Sequence, residues 1–158
     1  VLQLSPDRDP NAVHGEPLAP DMMTLATLVN GGQIAGVRPD ILTRPPRVAS
    51  TDGRTRTVLG YLSANCGTCH NGRGEIAASG PTLPLRDLLE DGDRVADALF
   101  RQRTSWTVPG MARGASYVLD PSAPDHSAML VRMRSRRPAS QMPPLGTVLQ
   151  DEEAIAAL

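Results

Sequence analysis

The residues of this chain with the plainest chemical purpose are two cysteines and the histidine that follows them. They stand together as Cys66-Gly67-Thr68-Cys69-His70. Two side chains three apart on a helical turn project to the same side. Their thiols can then reach two vinyl groups on one edge of a porphyrin, each S–H adding across one C=C to leave a thioether. C-x-x-C-H is the attachment pattern of c-type haem. His70, the next residue, is in turn placed to ligate the iron. Other chemistries use cysteines at this spacing. A thioredoxin-like dithiol sits beside a βαβ pattern, and the sequence has no convincing strand alternation. Zinc needs four ligands, and beyond Cys66, Cys69 and His70 the chain offers His14, His126 or a carboxylate, none at motif spacing. A surface disulfide with an accidental histidine is the blandest reading.

Haem iron that carries electrons holds two axial ligands, and His with Met is the common pair. Met142 is the candidate. It lies 72 residues after His70, in Gln141-Met142-Pro143-Pro144-Leu145-Gly146. Pro143 restricts Met142 to extended conformations and removes an amide that would want a partner. A soft thioether favours ferrous iron and raises the potential. Met111, in the turn-rich Pro109-Gly110-Met111, is the runner-up. Met129 and Met133 recur at helical spacing and read as packing residues able to touch a haem edge without ligating it. Met22 and Met23 read as packing in the N-terminal segment, and His126 as a surface or capping residue. Trp106 and Arg101 or Arg103 are candidate donors to haem carboxylates, with a core Trp and solvated Arg as the plain alternatives. Arg132, Arg134, Arg136 and Arg137 form a basic cluster, either a solvated helix end or a docking patch. Asp87, Glu90, Asp91, Asp93 and Asp97 form an acidic stretch, so the two could make the molecule electrically polar and steer partners.

These residues need elements to position them. A helix over about 53–65, capped by Asp52 or Thr51 and apolar at Val58, Tyr61 and Leu62, leads straight into Cys66. Asn71-Gly72-Arg73-Gly74 then turns the chain. Further helices are expected at about 20–30, started by Pro20-Asp21 and ended by Gly31-Gly32, within 86–103, with Gly92 a weak point, and at about 124–134. Residues 104–124 read as a long loop with a short hairpin around Gly110 to Gly114. The last segment, from Asp151 to Leu158, is a helix capped by Asp151. It has no C-cap, which implies that the natural chain continues. Val1 in place of Met is compatible with a removed leader. Thr43-Arg44-Pro45-Pro46-Arg47 is an extended connector. The whole is all-α with long loops, divided into an N-terminal extension with one helix (1–50) and a domain (51–158).

Composition explains why a cofactor is wanted. Leu, Ile, Val and Phe make up 34 of 158 residues, barely above the share at which chains stay unfolded. Aromatic residues are four, and Gly with Pro contribute 29. No apolar run approaches the roughly 18–20 residues of a membrane span. A net charge of −1 argues against a general nucleic-acid binder. All sixteen basic residues are Arg, from which no function is drawn.

The stretch from about 52 to 158 resembles the cytochrome c family, class I type: a helix, CxxCH, intermediate helices, a Met loop and a terminal helix. More narrowly, Gly60-Tyr61-Leu62-Ser63-Ala64-Asn65-Cys66-Gly67-Thr68-Cys69-His70 with Gln141-Met142-Pro143-Pro144-Leu145-Gly146 is similar to bacterial monohaem domains with a "YL-x-x-NC-x-x-CH" start and an "MPPLG" loop. The resemblance implies one covalent haem c on Cys66 and Cys69, with His70 and Met142 on its iron. It implies crossing first and last helices, which would pair Val58 and Leu62 with Ile155 and Leu158. It also implies one-electron transfer rather than catalysis, redox protein partners, and a place outside the bacterial cytoplasm. Two departures stand out: the His70–Met142 interval is long, and residues 1–50 have no counterpart in the basic fold. The extension would suit a subunit anchored in a larger redox complex. An open sixth site with peroxidase-like or ligand-binding chemistry is the enzymatic alternative, and a thiol redox module the haem-free one.

If haem makes up for the thin core, the double variant Cys66→Ala/Cys69→Ala loses most of its helical circular dichroism. A well-folded variant would mean that the low apolar fraction was never a deficit.

Overall fold

The structure is a computed structural model that describes residues 20–21, 23–73 and 80–158. Among these the regular elements are α-helices, in the order α1 (Leu25–Asn30), α2 (Pro39–Thr43), α3 (Gly53–Cys66), α4 (Leu85–Glu90), α5 (Gly92–Arg101), α6 (Ala128–Arg134) and α7 (Glu152–Ala157). The all-α expectation therefore holds. No helix among the described residues is long and apolar enough to cross a membrane.

α3 is the central element, and its start is set by Asp52, whose carboxylate accepts the Thr55 N–H at 2.6 Å. That bond holds the Asp52 carboxyl below its ordinary value. Leu59 and Leu62 project from α3 into a core shared with Val95 and Leu99 of α5 and with Ala154 and Ile155 of α7. Leu62 is fully buried. Val58 and Leu158 pack at the edge of this core. α3 thus packs against the terminal helix through the residues expected to pair there. Asp151 starts α7 by accepting the Ala154 N–H at 3.0 Å. Its other carboxylate oxygen accepts the Tyr61 hydroxyl at 2.8 Å, a second tie between α3 and the start of α7.

Three elements depart from the sequence expectations. The helix expected at 20–30 begins only at Leu25, because Thr24 caps it by accepting the Thr27 N–H; Met22 lies outside the described residues. The helix expected within 86–103 is two helices. Asp91 ends α4 and caps α5, accepting the Arg94 N–H at 3.0 Å. The break is held open by the chain at 48–49: Ala49 donates to Leu88 O at 2.8 Å and accepts from Gly92 N at 2.7 Å. Val48 packs on the core in the same place. The C-terminal end of the expected extension is thus stitched to the domain, and α2 is a short helix that the sequence reading left out. The helix expected at 124–134 starts as a 3-10 turn, Pro124–His126, before α6. Ser127 lies between the two, its hydroxyl accepting the Asp120 N–H, while the Ala128 and Met129 amides go to Tyr117 O and Val118 O.

The loop between α5 and the 3-10 turn folds back on itself, as expected around Gly110 to Gly114. Arg103 and Tyr117 form an isolated antiparallel bridge, and Val108, Ser116, Val118 and Leu119 are buried. Met111 belongs to this hairpin, its sulfur 3.9 Å from the Ser116 hydroxyl.

Gly92 gives the fold its clearest test. A Cβ there would lie 2.6 Å from Val48 Cγ1 and 2.8 Å from Ala49 O. Helix propensity alone would make Gly92→Ala stabilising by about 1 kcal/mol. The clash outweighs it, and a net loss of roughly 1 to 3 kcal/mol in urea unfolding is expected. A stabilised variant would show that the 48–49 segment does not pack on α5.

Candidate functional site

The last turn of α3 delivers Cys66, and the chain keeps turning through the motif. Cys69 N and His70 N both donate to Cys66 O, at 3.1 and 2.8 Å, so the motif is wound into one tight turn. Gly67 caps the helix with its N–H on Leu62 O and Ser63 O. A Cβ at Gly67 would sit 2.5 Å from Ser63 O, so this spacer position has no room for a side chain. Thr68 is exposed. Both cysteines are free thiols, Cys66 half-buried and Cys69 exposed. Burial, with a smaller contribution from Cys69, pushes the Cys66 thiol up to about 11. Reactive dithiol redox pairs depend on a thiol shifted the other way.

His70 is buried, with 6 % of its surface exposed. Its carbonyl accepts Leu83 N at 2.6 Å, which anchors the residue after the motif. One side of the ring lies against Gly80, where a Cβ would come within 2.7 Å of Cε1. Gly80 is held in turn by Gln102, whose side-chain amide donates to its carbonyl at 2.8 Å. Burial lowers the His70 pKa; the Pro81 carbonyl works the other way, and the Arg132 charge adds to the lowering. Nδ1 meets no partner at hydrogen-bond geometry.

His70 opens onto a cavity of about 630 Å³, within the range of cofactor sites. Cys66 lies on its wall, and so does Met142. The structure therefore gathers three of the four residues singled out from the sequence around one space, with Cys69 exposed at the end of the same turn. Met142 is half-buried, and its peptide bond to Pro143 is cis. Met129 and Met133 line the same wall from α6, while Met111 does not. His126 is exposed, and His14 lies outside the described residues, as does Gly74 of the turn after the motif. Among the described residues no three His, Cys, Asp or Glu side chains converge as a metal site.

The arginines on the wall are Arg132 and Arg136, in place of Arg101 and Arg103. Arg101 pairs with Asp97 in solvent, and Arg103 is spent on Gly114 O and the Tyr117 hydroxyl. Trp106 is also off the wall, but it stacks under Arg132 with the guanidinium 5.3 Å from its ring centre. Helical spacing carried a usable signal for three of these, since Met129, Arg132 and Met133 fall on one face of α6, whereas Arg136 lies beyond its end. Tyr61 and Asp151 are wall residues that sequence reasoning gave only packing and capping roles.

The cavity lining would suit a largely apolar group that carries anionic edges. It offers an imidazole edge, a thioether, and two arginines that make no ion pair with a described residue. Val148 and Leu149 stand on its rim, 86 % and 84 % exposed, where a bound apolar body would cover them. No protein-family model, curated protein or solved structure matches the chain.

Gly80→Ala tests the tight seat of His70. The added methyl must displace the ring, so the His70 ring resonances shift and stability falls by roughly 1 to 3 kcal/mol. Unmoved ring resonances would mean that Gly80 does not set the ring.

Proposed function

We propose that the chain is a monohaem c-type cytochrome domain, similar to class I cytochromes c, that carries single electrons between redox proteins outside the bacterial cytoplasm. The observation that supports this most is one cavity bordered by the CxxCH turn on one side and Met142 on another. Bound there, haem would supply an iron that cycles between ferric and ferrous states. Cys66 and Cys69 would hold it covalently, and His70 and Met142 would be its axial ligands.

The chain's own residues do the remaining work. The Gly80–Gln102 contact fixes the His70 ring. Val118, Ala128 and Met133 line the space from the core side. Arg132 and Arg136 offer positive charge to acidic groups of a ligand. If His70 and Met142 both hold the iron, no position would be left for a substrate there, so electron transfer is preferred to an open-site peroxidase.

Haem staining after denaturation, with a reduced haemochrome spectrum, is the direct test; a chain without covalently retained haem would sink the reading. In the haem-bearing protein Met142→Ala abolishes the Met-to-ferric-iron absorption band. Survival of that band would move the ligand to Met111 or another residue.

A further inference from the structure

Met142 lies on a long irregular segment between α6 and α7, and one residue of α6 holds that segment twice. The Arg132 carbonyl accepts the Met142 N–H at 3.1 Å. The Arg132 side chain donates its Nε–H to Ser140 O at 3.0 Å. The guanidinium plane is in turn supported by the Trp106 ring on the loop after α5. Arg132 is half-buried and makes no ion pair with a described residue. Neighbouring Arg134, by contrast, is spent on Asp125 in solvent at 2.9 Å. The Arg132 side chain therefore joins three segments: α6, the Met142 arm and the α5–α6 loop.

We propose that Arg132 is the positioning residue of the Met142 arm, and that its grip through Ser140 O and the Met142 amide sets how readily an outside ligand displaces the Met142 thioether. The inference rests on the reading of Met142 as an iron ligand. It extends that reading by naming what controls access to the same position. Only an arginine meets the requirement. Its planar fork can lie on an aromatic face while one N–H points sideways to a carbonyl, whereas a lysine ammonium can do one or the other. A charge-assisted bond of this kind is stronger than a neutral one, and its loss is felt at the end of the arm it holds.

The test is an imidazole titration of the ferric haem-bearing protein, followed by absorbance, with backbone amide exchange of Met142 measured on the same samples. Arg132→Gln binds imidazole about tenfold or more tightly than wild type, and its Met142 amide exchanges faster. Arg132→Lys falls with Arg132→Gln. Arg134→Gln removes an equal charge without touching the arm and titrates like wild type. Trp106→Leu, which keeps the arginine but removes its support, shifts affinity in the same direction by a smaller factor and covers the case in which Arg132→Gln does not fold. Unchanged imidazole affinity and amide exchange in Arg132→Gln overturn the proposal. So does an Arg132→Lys variant that behaves as wild type, since charge alone would then be the cause, or an Arg134→Gln variant that moves as far as Arg132→Gln. Should the wild type carry no haem, the functional reading fails first, and the exchange of the Met142 amide still decides whether Arg132 holds the arm.

Discussion

The structure turns on a buried imidazole. Taking an imidazole out of water costs free energy, and His70 is 6 % exposed, with Nδ1 closed off from solvent and the Pro81 carbonyl acting on the ring. The fold nevertheless commits a glycine, a glutamine side chain and a backbone hydrogen bond to keeping the ring where it is. Neutrality limits the cost, because burial keeps the imidazole uncharged over a wider pH range. An arrangement of this kind is the mark of a side chain preorganised for a ligand. Cys66, Gly80, Pro81 and the Met142 arm border the same space as that ring.

That space also reframes the shortage of apolar residues. The described core is small and built mainly from leucines on α3, α4 and α5, with Ala154 and Ile155 closing it from α7. It occupies one side of α3. On the other side, where a larger protein would place more Leu and Phe, the wall is made of methionines, arginines and prolines around a void. Flexible thioethers suit the border of an irregular planar body better than they suit a close-packed interior.

Local chemistry made part of this legible in the sequence. Asp52 and Asp151 act as caps as their residue types foretell, and α3 runs into Cys66. The apolar stripe of α6 faces inward through Leu130 and Met133. What was not legible depends on partners far along the chain. The break at Asp91 is held by Ala49, more than forty residues earlier. The late start of α6 goes with the Ala128 and Met129 amides bonding to Tyr117 O and Val118 O in the preceding loop, and the choice of Arg132 over Arg101 and Arg103 for the cavity wall comes from where two loops settle. Periodicity cannot weigh such contacts, because it sees only neighbours within a turn or two. Three of the residues singled out from the sequence, Cys66, His70 and Met142, do border one cavity, for the same reason. Its key residues lie in two short motifs, and only the arginine and tyrosine walls required the third dimension.

The two spacer positions of the C-x-x-C-H turn look interchangeable on paper, and the geometry makes them unequal. Gly67 is pressed against the carbonyl of Ser63, while Thr68 faces solvent. A side chain at the first spacer has to push back that carbonyl, and one at the second meets only water. A change at Thr68 is therefore felt at the surface, while a change at Gly67 is felt along the last turn of α3.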